Sequence, residues 1–196
     1  LQAAWYGLLW PALALLWLAV VYGHADAAAW QKQASGKHTL ALSLFALPLR
    51  LMYRANMAYW LRGKALSAQV TERIHVGSVL AVPDFHAVVD VCAEYPLAVM
   101  PSYYATIPML DMVPADVAAL RAAADALHQM LQQQNQPVLV CCALGYSRSV
   151  AVVLVYLLRQ RHAHDLQAAL KRLQQARPDM VVSPVNQQQI LKAAHE

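Results

Sequence analysis

The segment from Pro137 to Leu157, PVLVCCALGYSRSVAVVLVYL, predicts the local structure on which the fold depends. The apolar run Val138 to Val140 is typical of a buried strand. A short loop with the central glycine Gly145 follows it, and an apolar segment of helical length begins at Ser149. The sequence therefore predicts a strand, a tight loop and a helix, with Cys142 where the loop begins.

The loop between Cys142 and Ser149 has the features of an anion-binding site. Backbone N–H groups that curl around such a loop form a nest, and the positive end of the following helix dipole points into it. A thiol in this position should be held as a thiolate and act as a nucleophile. Arg148 can fold over the loop and offer two N–H groups to two phosphate oxygens. The alternative is that Cys142 is an inert buried thiol.

The spacing of Cys142, five residues, Arg148 and then Ser149 resembles the signature of the cysteine-dependent protein tyrosine phosphatases. The GYSRS ending is most similar to their dual-specificity branch, and the resemblance covers about the last two thirds of the chain. It implies that Cys142 attacks phosphorus to give a cysteinyl-phosphate, which water hydrolyses while Ser149 eases departure of the thiolate. It also implies a mechanism without a metal or cofactor. The phosphate loop would consist of Ala143, Leu144, Gly145, Tyr146 and Ser147.

Two other cysteines need an interpretation. The family usually has His before the catalytic Cys, and here Cys141 takes that place. This departure affects hydrogen bonding around the loop rather than the thiolate, and we interpret Cys141 as a small apolar residue of the strand. Cys92 could protect Cys142 as a reversible disulfide, but a buried strand thiol is the preferred interpretation.

The resemblance also implies a general acid, an Asp on a loop upstream of the nucleophile. Asp111 lies between a predicted strand and a predicted helix, 31 positions before Cys142. It would protonate the leaving group and then act as base toward water. Asp116 is the alternative, although a carboxylate that stabilises a helix N-terminus is its more natural role. His162 and His164 lack a matching set of metal ligands, and we expect them to face solvent.

The composition indicates membrane attachment added to a globular unit. Of the 196 residues, 59% are hydrophobic and only 13% are charged. Three cysteines, two of them adjacent, do not form a disulfide framework, and a working thiolate suits a reducing compartment. The net charge of +4, without a basic run or nucleic-acid motif, is compatible with anionic lipid or a phosphorylated substrate and does not indicate a nucleic-acid partner.

The N-terminal third predicts the anchor. Ala3 to Gly23 is 21 residues long without a formal charge, close to the ~20 that a spanning helix needs. A secretory signal peptide is the alternative, but no basic region precedes the apolar run. After a polar linker, His24 to His38, the apolar stretch Thr39 to Leu49 continues into a basic and aromatic stretch up to Lys64. This predicts a second helix that completes a span or lies in the headgroup layer, or else a solvated amphipathic helix.

We therefore predict a membrane anchor over residues 1–64 and a phosphatase catalytic domain over residues 65–196. Alternating strand and helix patterns predict an α/β fold with a central, mainly parallel sheet flanked by helices and preceded by transmembrane or interfacial helices. The basic residues after Leu49 favour a catalytic domain in the cytoplasm. The resemblance to bacterial membrane-bound dual-specificity-like proteins implies a bacterial inner membrane. The predicted strands are 73–77, 87–92, 97–100, 105–109 and 138–141, and the predicted helices of the domain are 114–134, 165–176, and two that begin at 149 and 184.

The sequence leaves more than one class of substrate open. The phosphate loop has no basic residue besides Arg148, which argues against a polyanionic inositol headgroup and is compatible with a single phosphomonoester. The stretches 89–96 and 176–184 are similar to phosphatidylglycerophosphate phosphatases of the tyrosine-phosphatase type and to bacterial membrane-bound dual-specificity-like proteins. Three hypotheses follow: a membrane-anchored phosphatase of a phospholipid, a protein tyrosine or serine/threonine phosphatase, and a non-catalytic membrane module that binds phosphate or a partner protein.

Overall fold

The computed structural model describes residues 2–195, with side chains described from residue 7 onward. Within that range five strands form one sheet and seven α-helices accompany it. The strands are β1 Ser67–Thr71, β2 Ile74–Ser78, β3 Ala87–Cys92, β4 Tyr103–Met109 and β5 Val138–Cys142. The helices are α1 Gln2–Gly23, α2 Leu40–Phe45, α3 Leu47–Trp60, α4 Val117–Gln133, α5 Arg148–Arg159, α6 Leu166–Ala176 and α7 Pro184–His195.

The sheet has the strand order β1-β2-β5-β3-β4. Only the β1–β2 pair is antiparallel, which confirms the predicted α/β fold with a mainly parallel sheet. The buried strand β5 is central, and its register sets Cys142 opposite Ser78 of β2. The sequence did not predict β1, and the predicted strand at 97–100 is wrong because those residues form no regular structure. The carboxyl ends of the parallel strands meet beside the loop that follows Cys142.

The two faces of the sheet are covered by different helices. Ten of the twelve residues of α5 are buried, and α5 packs against α4, α6 and α7 on one face. Alternation along β5 sends Val140 and Cys142 into this core, whereas Leu139 and Cys141 face a second core that contains Met57 of α3. Cys141 is fully buried, and burial raises the pKa of its thiol well above the usual range. The interpretation of Cys141 as a small apolar core residue is confirmed.

The N-terminal helices have one packed side and one exposed apolar side. Ala14, Trp17 and Val21 of α1 pack against Trp30 and Leu49, whereas many leucines of α1 to α3 are exposed. Where side chains are described, no helix combines the length and apolarity that crossing a membrane requires. The predicted span from Ala3 to Gly23 begins with residues 3–6, whose side chains lie outside that range. The prediction of a transmembrane helix is therefore not supported by the structure.

The sequence predicted that His24 to His38 is a polar linker. In the structure, two of its polar side chains instead have buried partners. Lys32 has no exposed side-chain surface, and its Nζ lies 2.5 Å from Oδ2 of Asp90. Nε2 of the buried His38 donates a hydrogen bond of 2.9 Å to the carbonyl oxygen of Ala93. The linker prediction is wrong because these side chains bond to β3 and to the residues that follow β3. Those bonds compensate for the removal of the side chains from water.

His38 makes the stability of the fold depend on pH. Burial lowers the pKa of its imidazole, and the hydrogen bond to Ala93 only partly opposes this effect. His38 therefore takes up its proton at a higher pH in the unfolded chain than in the folded chain. The free energy of unfolding should thus decrease as the pH falls below about 6.5, the ordinary value for His.

The variant His38→Gln keeps an N–H donor for the Ala93 carbonyl but does not titrate in this range. Urea unfolding between pH 5 and 7.5 should show a smaller loss of stability on acidification for this variant than for the wild type. The exposed His86→Gln serves as the control and should behave like the wild type. An unchanged pH dependence in His38→Gln would contradict the assignment.

Candidate active site

The predicted phosphate loop connects the end of β5 to the start of α5, with Cys142 at the strand end and Arg148 in the first turn of the helix. The backbone N–H of Gly145 donates to Sγ of Cys142 at 3.3 Å, and Oγ of Ser149 lies 3.4 Å from the same sulfur. Gly145 has a φ of +76°, and a Cβ there would lie 2.3 Å from the backbone carbon of Gly77. A tight turn against β2 therefore requires glycine.

Three carbonyl groups of this loop accept hydrogen bonds from other segments. Oγ of the buried Ser78 donates to the Ala143 carbonyl at 2.6 Å. Nη2 of Arg177 donates to the Leu144 carbonyl at 3.0 Å, and the backbone N–H of Val181 donates to the Tyr146 carbonyl at 2.8 Å. These bonds fix the loop, and the Gly145 N–H, which donates to Sγ of Cys142, is available beside the sulfur for an anion.

The guanidinium of Arg148 is held by hydrogen bonds through Nη1, whereas its other two nitrogens make none. Nη1 donates to Oε2 of Glu94 and to the Met109 carbonyl, both at 2.6 Å. Nε and Nη2 are buried and make no hydrogen bond, although Nε lies 3.5 Å from Oδ1 of Asp111. Buried donors without acceptors are costly, so this arrangement favours a ligand that supplies two oxygens side by side.

Glu94 connects several parts of this site, and the sequence analysis missed it. Its Oε1 accepts from the Asp111 backbone N–H at 2.6 Å and from the Tyr22 hydroxyl at 3.2 Å, while Oε2 accepts from Arg148. Burial acts to raise the pKa of this carboxyl, but Arg148 and the hydrogen bonds outweigh it and hold the pKa below its usual range. Glu94 is therefore a carboxylate that orients both Arg148 and the loop of Asp111.

The structure distinguishes the two candidate acids by their position. Asp111 follows β4, its carboxylate is 38% exposed, and it lines a small cavity together with Arg148 and Leu144. Asp116 caps α4, since its Oδ2 accepts from the Ala119 N–H at 2.8 Å. The predicted helix-stabilising role of Asp116 is confirmed, and only Asp111 is brought to the guanidinium.

The remaining candidates lie away from the reacting groups or have other partners. Cys92 is fully buried, and burial raises the pKa of its thiol, whose Sγ lies 3.5 Å from Oε2 of Glu94. His162 is exposed and contacts the Tyr156 ring at a centroid distance of 5.9 Å. In the described part of the chain, no group of three or more His, Cys, Asp or Glu side chains could hold a metal ion.

Comparisons with known proteins agree with this geometry. The family model of the dual specificity phosphatase catalytic domain matches residues 69–196. The structure of human DUSP28 superimposes with a TM-score of 0.57 at 26% identity, covering 66% of this chain and 93% of that one. A search of curated proteins gave no significant match. The chain belongs to the dual specificity phosphatase family, within the cysteine-dependent tyrosine phosphatases, and is a phosphatase that hydrolyses phosphoric monoesters.

Two more distant structures show the same fold. Tk-PTP in its active form is 19% identical, with a TM-score of 0.58 over 67% of this chain and 97% of that chain. PTPMT1, in a complex with PI(5)P, is 14% identical, with a TM-score of 0.54 over 66% of this chain and 95% of that chain. All three matches leave about a third of this chain uncovered, and the family match begins only at residue 69.

The position of Asp111 predicts a dependence on the leaving group. Asp111→Asn cannot protonate the departing oxygen, so it should slow alkyl phosphates by about 10²- to 10⁴-fold and activated aryl phosphates much less. Steady-state kinetics over a series of leaving groups measures this difference. Asp116→Asn is the matched control and should leave the leaving-group dependence unchanged, because Asn can also accept from the Ala119 N–H and cap α4. If Asp111→Asn slowed all esters equally, it would not be the general acid.

Proposed function

We propose that this chain is a membrane-associated phosphatase that hydrolyses the phosphomonoester of a phospholipid through a cysteinyl-phosphate on Cys142. One observation carries the catalytic part of the proposal. Glu94 and the Met109 carbonyl hold Nη1 of Arg148, so that the buried Nε and Nη2 make no hydrogen bond, and only the Asp111 carboxylate, 3.5 Å from Nε, lies near them as a counter-charge. A tetrahedral phosphate matches this set of donors, because the planar guanidinium can bind two of its oxygens at once.

In the first step, loop N–H groups and Arg148 bind the phosphoryl oxygens and direct phosphorus toward Sγ of Cys142. The thiolate attacks, so that the P–S bond forms while the P–O bond to the substrate alcohol breaks. Asp111 gives its proton to the departing oxygen. The donors of Arg148 neutralise charge on the phosphoryl oxygens throughout the transfer.

In the second step, Asp111 takes a proton from a water molecule, and the water oxygen attacks phosphorus. The P–S bond breaks, inorganic phosphate forms, and the electron pair returns to sulfur. The Ser149 hydroxyl lies 3.4 Å from Sγ, and it can donate a hydrogen bond to the thiolate as it leaves. No metal or cofactor takes part in either step.

The exposed apolar surfaces of α1 and α3 support the membrane part of the proposal. Leu13 and Leu16 of α1 are 56% and 63% exposed, and Leu51 and Tyr59 of α3 are 59% and 74% exposed. A surface of this extent is rare on a soluble monomer and is typical of protein or lipid contact. The two arginines of α3, Arg50 and Arg54, suit anionic headgroups.

The packing of α3 indicates how it would meet the bilayer. Met57 and the adjacent Leu61 are buried in the core beneath the sheet, which ties this end of α3 to the catalytic domain. A helix with one side fixed in this way is suited to lie in the headgroup layer rather than to cross it. We infer an orientation at the cytoplasmic face of a bacterial inner membrane, supported by the arginines of α3 and by a thiol that requires reducing conditions.

A groove beside the phosphate loop supports a lipid as the substrate. It has a volume of about 640 Å³ and extends from Asp111 and Tyr146 toward Trp60 of α3. Most of its lining is apolar, and Met112 and Val181 at its edge are 96% and 62% exposed. Through Trp60 the groove continues into the exposed surface of α3, so an ester could bind its phosphate while its apolar part stays at the bilayer.

A protein substrate is the alternative, because a loop with Arg148 as its only base accepts any single phosphomonoester. The test compares turnover by the full chain of phosphatidylglycerophosphate in vesicles, a phosphotyrosyl peptide and a soluble aryl phosphate. We expect kcat/KM for the lipid to exceed that for the peptide by at least about tenfold, a difference of roughly 1.4 kcal/mol. A preference for the peptide would establish the alternative and overturn the lipid assignment.

Met112→Asp tests the groove in the same assay. Met112 has a φ of +57°, a conformation that Asp tolerates, so the change should affect the surface rather than the backbone. Burial of a Met side chain contributes about 1.5 to 3 kcal/mol, so kcat/KM for the lipid should fall roughly tenfold or more, and more than for the aryl phosphate. The control is Val99→Asp, at a site 54% exposed outside the groove. Equal losses on both esters would exclude the groove.

A further inference from the structure

The N-terminal segment is bonded to the loop that carries Glu94. We call residues 92–97 the Glu94 loop, which begins at the last residue of β3. The Leu97 N–H donates to the Gly36 carbonyl at 2.8 Å, and His38 donates to the Ala93 carbonyl. These contacts come from residues before position 40, which lie outside the part of the chain that matches the family. The Glu94 loop is therefore held by residues that lie outside the family match.

Lys32 holds this loop most firmly. Its Nζ donates to Oδ2 of Asp90 and to the Cys92 carbonyl, both at 2.5 Å, and to the Tyr95 carbonyl at 2.9 Å. The ammonium group has three protons, so each of them has an acceptor. The two carbonyls lie on either side of Glu94 in the chain, so a buried and fully paired charge fixes the backbone around this residue.

Tyr22 reaches the carboxylate itself. It lies near the end of α1, and its hydroxyl donates to Oε1 of Glu94 at 3.2 Å. Burial and the nearby Glu94 charge both raise the pKa of Tyr22, so the hydroxyl stays protonated and remains a donor. With Oε1 bonded by Tyr22 and by the Asp111 N–H, the carboxylate is held with Oε2 toward Nη1 of Arg148.

We propose that Tyr22 and Lys32 are positioning residues of the phosphatase site, which set the orientation of Arg148 through Glu94. The inference rests on the proposed function, in which phosphate is the ligand of Arg148. It also extends the catalytic unit to residues 22–38, which the boundary predicted at residues 64 and 65 leaves out. The hydrogen bond from Tyr22 to Glu94 thereby links α1, which has an exposed apolar surface, to the phosphate site.

The test uses the full chain in detergent and measures inhibition by orthovanadate, a tetrahedral oxyanion, together with kcat/KM for a soluble aryl phosphate. Tyr22→Phe removes one hydroxyl and keeps the ring, so the protein should fold normally. Its inhibition constant for vanadate should rise about 3- to 10-fold, the effect of one ordinary hydrogen bond, because Tyr22 acts on vanadate only through Glu94. Tyr103→Phe, the same change at a side chain 45% exposed at the start of β4, should leave the constant unchanged.

A double-mutant cycle separates positioning from general stability. In a Glu94→Gln background, Tyr22→Phe should have no further effect on vanadate affinity, because its action passes through the carboxylate. Lys32→Met, with Lys37→Met as its exposed control, should weaken vanadate binding in the fraction that near-ultraviolet circular dichroism shows to be folded. If Lys32→Met does not fold, the Tyr22→Phe cycle alone decides.

Two results would overturn the inference in distinguishable ways. If the wild type binds vanadate and hydrolyses the aryl phosphate but Tyr22→Phe matches Tyr103→Phe, or has the same effect with and without Glu94, the positioning role fails and the proposed function stands. If the wild type neither binds vanadate nor hydrolyses the ester, the proposed function fails and the positioning role fails with it.

Discussion

The ion pair between Glu94 and Arg148 is the interaction on which the site depends. The two side chains are 2% and 4% exposed, and Oε2 and Nη1 are 2.6 Å apart. Burying two charges costs several kcal/mol for each ion, and their attraction offsets this cost only when other hydrogen bonds complete the geometry. Here those bonds come from the Asp111 N–H, the Met109 carbonyl and the Tyr22 hydroxyl. The pair therefore fixes the arginine, the acid loop and the end of α1 together.

The same arrangement relates the membrane association that we propose to the phosphate site. Helix α3 packs beneath the sheet through Met57 and lines the groove through Trp60, while α1 reaches Glu94 through Tyr22. The apolar surfaces that we assign to the bilayer thus belong to elements that also contact the site. An anchor joined by a flexible linker would raise only the local concentration of substrate. In this chain the N-terminal helices are part of the structure that holds the guanidinium.

The sequence predicted most accurately the features that are formed by residues close together in the chain. Strand β5, the loop and α5 are contiguous, and Asp111 was found because it follows a strand at the expected distance from Cys142. Glu94, Tyr22 and Lys32 were missed because their partners lie 54 to 72 positions away, and no local pattern indicates such pairs. Residues 24–38 resembled a linker because the partners of their polar side chains also lie far away in the chain. Strand β1 lies at the sheet edge and lacks a strong apolar alternation, whereas 97–100 is apolar but flanked by Pro96 and Pro101.

The central claim is that phosphate passes through the sulfur of Cys142, opposite the clamped guanidinium. Rapid-quench labelling tests it most directly: the full chain is mixed with ³²P-labelled aryl phosphate, denatured within the first turnover and digested, and the labelled peptide is identified. The account predicts label on the peptide that contains Cys141 and Cys142, retained in a Cys141→Ala variant and lost in Cys142→Ser. Turnover without any labelled peptide, or label that persists in Cys142→Ser, would contradict it.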